Sequence, residues 1–439
     1  MIGIIGAGIS GLTTAYYLQK NNLPYQLFEA TDRPGGFIQT KKTGKYLLEL
    51  GPNSILVDEA LEAFIDDVGL SSSTQAPNAV SKNRFIFRKG KYRKLPASPL
   101  GLISNNFFSF ATKKAIYREM KKPAQKLQQE TLSHFFARRF STEVVDYALN
   151  PFVSGIYAGN PDELLVEKTF PFLQEYEQQY GSVIKGFMKN KTAGRKTSLS
   201  FTEGMEAFPR AIAEKLENIS YHTAVQSITR GDDQYILHTS QGDYSVNSLI
   251  ISTPSFTMYE FLKDLFPQES ESLLKISYPP MIVVHSAYKR TSVAHPLNGF
   301  GGLNPKVEDL YTAGSIWSSS VFSGRCPEDE VLFTTFVGGS QYTANTRQTE
   351  LVTLGKVHQE LAHHYQIKGN PIFQQMYKWE KTIPQYDLDI LPAHRFAENL
   401  EKEQIFVCAN WKDGISLADC IRKAKKLAEQ LAENEQVRI

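Results

Sequence analysis

The chain opens with MIGIIGAGISGLTTAYYLQKNNLPYQLFEA, residues 1–30. Three isoleucines at its start predict a buried strand, a helical pattern follows, and YQLFEA predicts a second strand. The glycines between strand and helix allow a tight turn, close approach of a pyrophosphate, and close packing of helix on strand. The helix N-terminus also offers unpaired N–H groups to phosphates. We therefore predict a dinucleotide-binding loop formed by Gly6, Gly8, Ile9, Ser10 and Gly11.

An acidic residue stands at the end of the second predicted strand. Glu29, followed by Ala30, lies near the offset of about 20 residues at which an acid binds the ribose hydroxyls of a dinucleotide. A carboxylate at this place would repel the extra phosphate of NADP, so the sequence argues against that cofactor.

The stretch LFEATDRPGG, residues 27–36, adds an arginine and a glycine pair directly after the acid. Arg33 can supply charge to a pyrophosphate, and Gly35 and Gly36 allow backbone to lie against a bulky flat group. A nicotinamide enzyme has no need of such a segment, so FAD is favoured. The segment resembles the second fingerprint of FAD enzymes in the amine oxidase superfamily, Glu-x-x-x-Arg-x-Gly-Gly-Arg. Phe37 stands where that pattern usually has its last arginine.

The composition excludes several classes of protein. With 439 residues the chain exceeds one compact core, and a formal net charge of +2 suggests no nucleic-acid partner. Three cysteines without a Cys-x-x-Cys pair predict a reducing compartment and neither disulfides nor a metal site. We expect no signal peptide and no membrane span, and hence a cytoplasmic protein. The apolar and basic residues of segment 100–122 leave peripheral contact with the inner membrane face open.

The order of patterns along the chain predicts an α/β protein. We expect a discontinuous Rossmann-like FAD-binding domain, an inserted α+β substrate domain with an antiparallel sheet, and a helical domain. The predicted bounds are 1–76, 201–256 and 379–439 for the FAD-binding domain, 77–95, 186–200 and 257–378 for the substrate-binding domain, and 96–185 for the helical domain.

Several blocks outside the glycine loop resemble the protoporphyrinogen oxidase family. They are NPFVSGIYAGNPDEL (150–164), GFGGLNP (299–305), GSIWSSSVFSGRCP (314–327), FTTFVGG (333–339), KWEKTIPQYDLDI (378–390) and ANWKDGISLADCI (409–421). Ala409 departs from the family, which usually has glycine before the asparagine of the last block.

The resemblance implies an oxygen-dependent oxidation of protoporphyrinogen IX to protoporphyrin IX in heme biosynthesis. Six hydrogens leave the substrate, so FAD would be reduced three times and reoxidised by O₂ to give hydrogen peroxide. The flavin itself would abstract hydride, which agrees with the lack of a Ser-His-Asp arrangement or an acid–base dyad in the sequence. No catalytic side chain is therefore predicted.

The resemblance also implies two sets of binding residues. Cofactor contacts beyond the two fingerprints are expected at Gly51, Pro52, Asn53, Ser54, Val225, Trp379, Asn410, Gly414, Ile415, Ser416 and Leu417. In the substrate pocket Arg84 would orient a propionate and the carbonyl of Gly155 would face pyrrole N–H groups. The rings would lie between Leu303, Ile316 and Phe336.

Alternatives stay open at this stage. Arg84 also fits a solvated hairpin, and Leu303, Ile316 and Phe336 also fit an ordinary sheet core. The sister activity, coproporphyrinogen III oxidase, would gain from the basic residues Arg88 and Arg93. Another flavin amine oxidase, a carotenoid-desaturase-like enzyme and a non-catalytic tetrapyrrole chaperone are further alternatives. The sequence leaves a homodimer, and an association with the next enzyme of heme synthesis, open.

Overall fold

The predicted order of strand, glycine turn, helix and strand begins the structure, a computed structural model that describes residues 1–96, 101, 104–190 and 196–436. The strands, in chain order, are β1 (Ile2–Ile5), β2 (Tyr25–Phe28), β3 (Thr40–Thr43), β4 (Tyr46–Glu49), β5 (Ile55–Val57), β6 (Thr74–Gln75), β7 (Phe85–Arg88), β8 (Lys91–Lys94), β9 (Thr197–Phe201), β10 (Ile219–Ser220), β11 (Val225–Arg230), β12 (Tyr235–Thr239), β13 (Gly242–Val246), β14 (Ser248–Ile251), β15 (Met281–Lys289), β16 (Gly301–Leu303), β17 (Gly314–Ile316), β18 (Glu330–Gly338), β19 (Phe373–Trp379) and β20 (Ile405–Val407). The α-helices are α1 (Ile9–Lys20), α2 (Glu59–Asp67), α3 (Phe110–Glu119), α4 (Leu132–Arg139), α5 (Thr142–Val144), α6 (Asn150–Tyr157), α7 (Val166–Thr169), α8 (Pro171–Tyr180), α9 (Val183–Lys189), α10 (Ala207–Glu214), α11 (Ser255–Leu262), α12 (Ser272–Lys275), α13 (Ser318–Val321), α14 (Glu350–Tyr365), α15 (Ile390–Leu400) and α16 (Leu417–Gln436).

A five-stranded parallel sheet in the order β10-β2-β1-β14-β20 joins strands from the beginning, middle and end of the chain. β1 and β14 are buried along their whole length, because both faces of the sheet are covered. On one face Ile4 packs with residues of α1 and α16. On the other face Ile5 packs with Leu237 of the three-stranded sheet β11-β12-β13. The predicted mixed α/β fold is thus present.

A second sheet has the order β19-β15-β18-β17-β16-β7-β8. Its strand pairs are antiparallel except for the parallel pair β16 and β7. The antiparallel pairing predicted for MIVVHSAY and VLFTTFV is confirmed by β15 and β18. The predicted hairpin of β7 and β8 is also confirmed, with positive φ at Lys89 and Gly90 in its turn.

Helices α3 to α9 lie between residues 110 and 189 and surround a buried ionic network. Arg139 is 1% exposed and donates from Nε to Glu119 Oε1 at 2.9 Å and from Nη1 to Glu177 Oε1 at 3.1 Å. Both glutamates are fully buried. Removing one partner of such a pair typically costs about 3–5 kcal/mol, so the network ties these helices together.

The structure differs from the prediction for residues 186–200. Strand β9 pairs with β5 through Ile55 and Leu199, and with β6 through Thr74 and Phe201, so it joins strands of the predicted FAD-binding segment. Helix α9 packs on α8 in the helical layer. Strand pairing between distant segments has no local signal, which is why the boundary was misplaced. The other domain boundaries stay predictions.

The predicted membrane-facing segment is only partly a surface. Leu100, Leu102 and Ile103 lie outside the described residues. Phe107 and Phe108 are buried in a cluster with Ile86, because they cover the end of the second sheet, whereas Phe110 of α3 is 82% exposed. Across the described ranges, no helix has both the length and the apolar character that crossing a bilayer requires.

Candidate active site

The glycine loop follows the carboxyl end of β1, where ligands of open α/β sheets bind. Gly6 has a φ of +99°, and a Cβ on Gly11 would lie 2.0 Å from the carbonyl oxygen of Gly6. Glycine at position 11 is therefore required for the loop to pack against α1. A Cβ on Gly8, in contrast, would have no protein atom within 4 Å. The loop thus leaves open space beside Gly8, as a dinucleotide requires.

The second fingerprint crosses back against this loop. Gly35 donates its N–H to the carbonyl of Ala7 at 2.8 Å and pairs with Gly8 as a parallel bridge. A Cβ on Gly36 would lie 3.5 Å from the Cα of Gly8. The guanidinium of Arg33 donates to the carbonyl of Gly36 at 2.9 Å, so in this structure it braces its own loop. The predicted return of this segment over the glycine loop is therefore present.

Glu29 lies at the end of β2, beside the loop. Its Oε2 accepts the N–H of Ala7 at 2.7 Å, and its Oε1 accepts the N–H of Thr31 at 2.9 Å. A carboxylate has about four lone-pair sites, so acceptor capacity remains for ribose hydroxyls. Thr223 donates its N–H to the carbonyl of Glu29 at 2.8 Å, which brings Val225, the first residue of β11, to the same edge.

An aromatic pair lines the segment Gly51–Ser54. Trp379 donates from Nε1 to the carbonyl of Leu50 at 2.8 Å, and its ring lies 5.2 Å from that of Phe37. A Cβ on Gly51 would lie 2.1 Å from the carbonyl oxygen of Phe37, so the two segments touch. Phe37, which replaces the usual arginine, therefore forms an aromatic wall with Trp379.

The segment that follows β20 is held in place by two side chains that the sequence did not point to. Tyr386 donates its hydroxyl to the carbonyl of Asn410 at 2.8 Å and accepts the N–H of Gly414 at 3.0 Å. Lys423 of α16 donates to the carbonyls of Ala409 at 2.5 Å and Gly414 at 3.1 Å. Tyr386 stands in a quoted block and could have been noticed. Lys423 looks like every other lysine of its helix, so no sequence signal marks it.

The remaining predicted cofactor residues of this segment, Ile415, Ser416 and Leu417, lead into α16. Ser416 accepts the N–H of Asp419 at 3.1 Å on its Oγ and so caps the helix. The segment comes after the carboxyl end of β20, as the glycine loop comes after β1 and Glu29 after β2. The predicted cofactor residues, drawn from distant parts of the chain, therefore meet at one edge of the parallel sheet.

The predicted substrate residues share one face of the second sheet. Leu303 lies opposite Gly314, which lies opposite Phe336, and Ile316 follows Gly314 by two residues. Directly opposed residues and those two apart on one strand project to the same face. All three apolar side chains are half-buried, although most of the residues around them in these strands are buried. Trp379 belongs to this face too, because it lies opposite Met281, which lies opposite Gly338.

Helix α6 stands opposite this face. A Cβ on Gly155 would lie 3.4 Å from Leu303, and Phe152 and Ile156, on the same side of the helix, are 47% and 39% exposed. The helix and the sheet face together form an apolar cleft that is not closed by its own side chains. We name the cleft between α6 and Leu303, Ile316 and Phe336 the apolar cleft.

The basic residues of the hairpin have separate environments. Arg84 is exposed, and its Cζ lies 3.7 Å from the ring centroid of Phe300. Arg88, in contrast, is buried and pairs with Glu143, so it is not free to contact a substrate carboxylate. Arg93 donates from Nε to the carbonyl of Arg88 at 3.3 Å. Arg88 was therefore wrongly considered as a pocket residue, because a buried partner on α5 occupies it.

These loops, glycines and aromatic walls fit a flavin dinucleotide, and comparison with known proteins agrees. The family described as flavin containing amine oxidoreductase matches residues 9–432. The chain belongs to this family of oxidoreductases, and FAD is its cofactor.

Individual relatives narrow the resemblance. Protoporphyrinogen oxidase 2 of Arabidopsis thaliana is 30% identical over 98% of this chain and 93% of its own length. Coproporphyrinogen III oxidase of Staphylococcus aureus is 27% identical over 98% of both chains. A crystal structure from Exiguobacterium sp. 255-15, provisionally named as a protoporphyrinogen oxidase, has a TM-score of 0.82 at 22% identity and covers 99% of this chain and 98% of that one. The predicted family resemblance is confirmed.

Proposed function

We propose that this protein oxidises a porphyrinogen, with protoporphyrinogen IX as the leading substrate. The observation that carries the proposal is the apolar cleft, which runs along one sheet face from Leu303 to Trp379, beside the residues proposed to hold FAD. FAD, when bound, supplies hydride acceptance. In the fuller proposal O₂ takes the electrons and three such rounds complete the porphyrin.

The side chains of the cleft would bind the substrate mainly by burial. Covering a few hundred Å² of macrocycle against Leu303, Ile316 and Phe336 is worth several kcal/mol at about 25 cal/mol per Å². An exposed ion pair with Arg84 adds only about 0–1 kcal/mol. The apolar walls would therefore set affinity, Arg84 would set orientation, and the Gly155 carbonyl would accept pyrrole N–H groups.

One observation favours coproporphyrinogen III as the second candidate. Arg93 lies opposite Ile86, which lies opposite Leu303, so Arg93 projects from the same sheet face as the cleft residues. Two strand spacings separate Arg93 from Leu303, roughly 10 Å. A tetracarboxylate has peripheral carboxylates where protoporphyrinogen has vinyl groups, and Arg93 offers a cation to one of them.

The test mixes the FAD-loaded protein with each porphyrinogen in the absence of air. Bleaching of the visible flavin absorbance, with porphyrin fluorescence appearing at the same rate, is expected for the true substrate. Readmitted air should restore the flavin colour and yield hydrogen peroxide. If neither porphyrinogen reduces the flavin faster than a buffer control, the proposal fails.

The two candidates separate with matched charge-removing variants on strand β8. Arg93→Met should raise KM for coproporphyrinogen several-fold if that is the substrate. Lys94→Met removes the same charge from the opposite face, because Lys94 pairs with Phe85, whose ring packs on Trp317. Equal effects of the two variants would count against the second candidate.

A further inference from the structure

A small enclosed cavity lies where the segment leading into Gly51–Ser54 meets the face of the second sheet. Its volume is about 10 Å³, enough for the centre of one water molecule. Asn53, from the segment proposed to hold FAD, and Ile316, from the apolar cleft, both line it. The cavity therefore borders both parts of the candidate active site.

Two oppositely charged side chains line this cavity. Glu49 is 4% exposed and Arg325 is 2% exposed, and their Oε1 and Nη1 atoms lie 3.5 Å apart. Nη2 of Arg325 donates to Ser200 Oγ at 2.6 Å. Its Nη1 has no hydrogen-bond partner among the described residues, although it is buried. Such an orphaned donor is rare in proteins and indicates room for a water molecule or a change of charge beside it.

Glu49 is held by neutral donors. Thr40 donates from Oγ1 to Oε2 at 2.7 Å, and Met205 donates its N–H to Oε1 at 2.9 Å. His285 donates from Nε2 to the backbone carbonyl of Glu49 at 3.1 Å. Burial raises the pKa of Glu49 to about 7, with Glu206 raising it further and Arg325 opposing the shift. Burial lowers the pKa of His285 to about 4, so that ring is neutral near pH 7.

We propose that Glu49 is a redox-linked proton acceptor, which binds one proton when FAD receives two electrons and releases it when the electrons leave. The inference rests on the proposed placement of FAD beside Gly51–Ser54. Two electrons and one proton delivered to FAD leave one negative charge on it. A new negative charge favours the protonated form of a nearby carboxyl group. The proton comes from water through the cavity, so charge and atoms balance, and Arg325 keeps the empty site ionised in the oxidised protein.

The test measures the reduction potential of FAD in the holoenzyme against pH, with a chemical reductant and no porphyrinogen. One proton per two electrons gives about 30 mV per pH unit, and two protons give about 60 mV. Between about pH 7 and pH 9 the wild type should approach the steeper slope. Glu49→Gln should give the shallower one, because a carboxamide takes up no proton.

Glu206→Gln is the matched control. Glu206 accepts the N–H of Thr40 at 3.0 Å on its Oε2, so it belongs to the same cluster but does not line the cavity. It should leave the steeper slope in place. An unchanged slope in Glu49→Gln, or an equal loss of slope in both variants, would overturn the proposal.

A second measurement covers the case in which Glu49→Gln fails to fold. The infrared difference spectrum of the unmodified holoenzyme, reduced minus oxidised, should show a protonated carboxyl band that appears on reduction. No such band at pH 8 would refute the proposal directly. Both measurements are independent of the porphyrinogen assay, so a failed substrate assignment and a failed proton acceptor give different results.

Discussion

Gly8 and Gly11 belong to the same loop but are glycines for different reasons. A Cβ at Gly11 collides with the Gly6 carbonyl at 2.0 Å, whereas a Cβ at Gly8 meets no protein atom within 4 Å. Gly8 has a φ of −69°, which any residue adopts. We expect Gly8→Ala to fold normally and to weaken FAD binding at least tenfold, because its methyl group enters the space left for the pyrophosphate. Fluorescence titration with FAD gives the dissociation constant.

Gly11→Ala is the contrasting variant for that experiment. It should lower the melting temperature of the protein whether or not FAD is present, since the clash lies within the protein. If Gly8→Ala binds FAD as tightly as the wild type, the pyrophosphate does not lie where the loop predicts.

His285 predicts a pH-dependent contribution to stability. Its folded pKa of about 4 lies below the ordinary 6.5, so the unfolded chain binds the proton first as the pH falls. Stability from the neutral ring is therefore lost between about pH 6.5 and pH 4, by about 2 kcal/mol at pH 5. His285→Gln lacks this loss and should gain about that much relative to the wild type between pH 7 and pH 5. Urea unfolding at both pH values measures the difference.

The comparison with wild type is needed because Glu49 acts in the opposite direction. Its raised pKa gives the native state extra protons below about pH 7, so its contribution grows as the pH falls and is lost as the pH rises through 7. The exposed residue His222 supplies a control, His222→Gln, that should show no such pH-dependent gain. A constant difference between His285→Gln and the wild type at both pH values would contradict the prediction.

At the scale of single residues, the sequence predicted what is local. The spacing of Gly6, Gly8 and Gly11 and the acid at position 29 follow from neighbouring residues within one βαβ unit. The contact of Phe37 with Trp379 joins residues far apart in the chain, and the ion pair of Glu49 with Arg325 does the same. No pattern within either segment indicates its partner.

Helix α6 is the element that sets the width of the apolar cleft. Gly155 faces Leu303 and its hypothetical Cβ lies 3.4 Å from it, so a larger side chain would fill the cleft. We expect Gly155→Leu to raise KM for the porphyrinogen at least tenfold, while chemical reduction of bound FAD stays unchanged. Steady-state kinetics and anaerobic reductive titration measure the two effects separately.

Gly355 provides the matched control on another helix. It lies in α14, and a Cβ there would meet nothing within 4 Å. Gly355→Leu should leave KM unchanged and slightly stabilise the protein, by up to about 1 kcal/mol, because leucine is the better helix former. If both glycine variants change KM alike, or neither does, the cleft is not the substrate site.

Elements were predictable where one segment carries its own pairing. The hairpin of β7 and β8 closes on Lys89 and Gly90, and both strands could be predicted together. Strand β9 instead pairs with β5 and β6, more than a hundred residues earlier, and its sequence fits several sheets equally well. The elements were therefore predictable one by one, and their assembly only in part.

The whole molecule depends on its cofactor, because the residues proposed to hold FAD come from both ends and the middle of the chain. Direct contacts also join the two sheets, such as Trp379 to Leu50 and Tyr46 to Glu330 at 2.8 Å, so the protein should fold without FAD but less stably. At free FAD one hundred times its dissociation constant, stabilisation is about 2.7 kcal/mol.

Removal of FAD should accordingly lower the melting temperature, and added FAD should restore it with a concentration dependence set by its affinity. NADP at the same concentrations should not restore it, because the carboxylate of Glu29 repels its extra phosphate. Gly8→Ala should need a higher FAD concentration than the wild type for the same recovery. A melting temperature that is independent of FAD would mean that the distant segments meet without the cofactor between them. The assembly of the molecule would then be independent of the chemistry proposed for it.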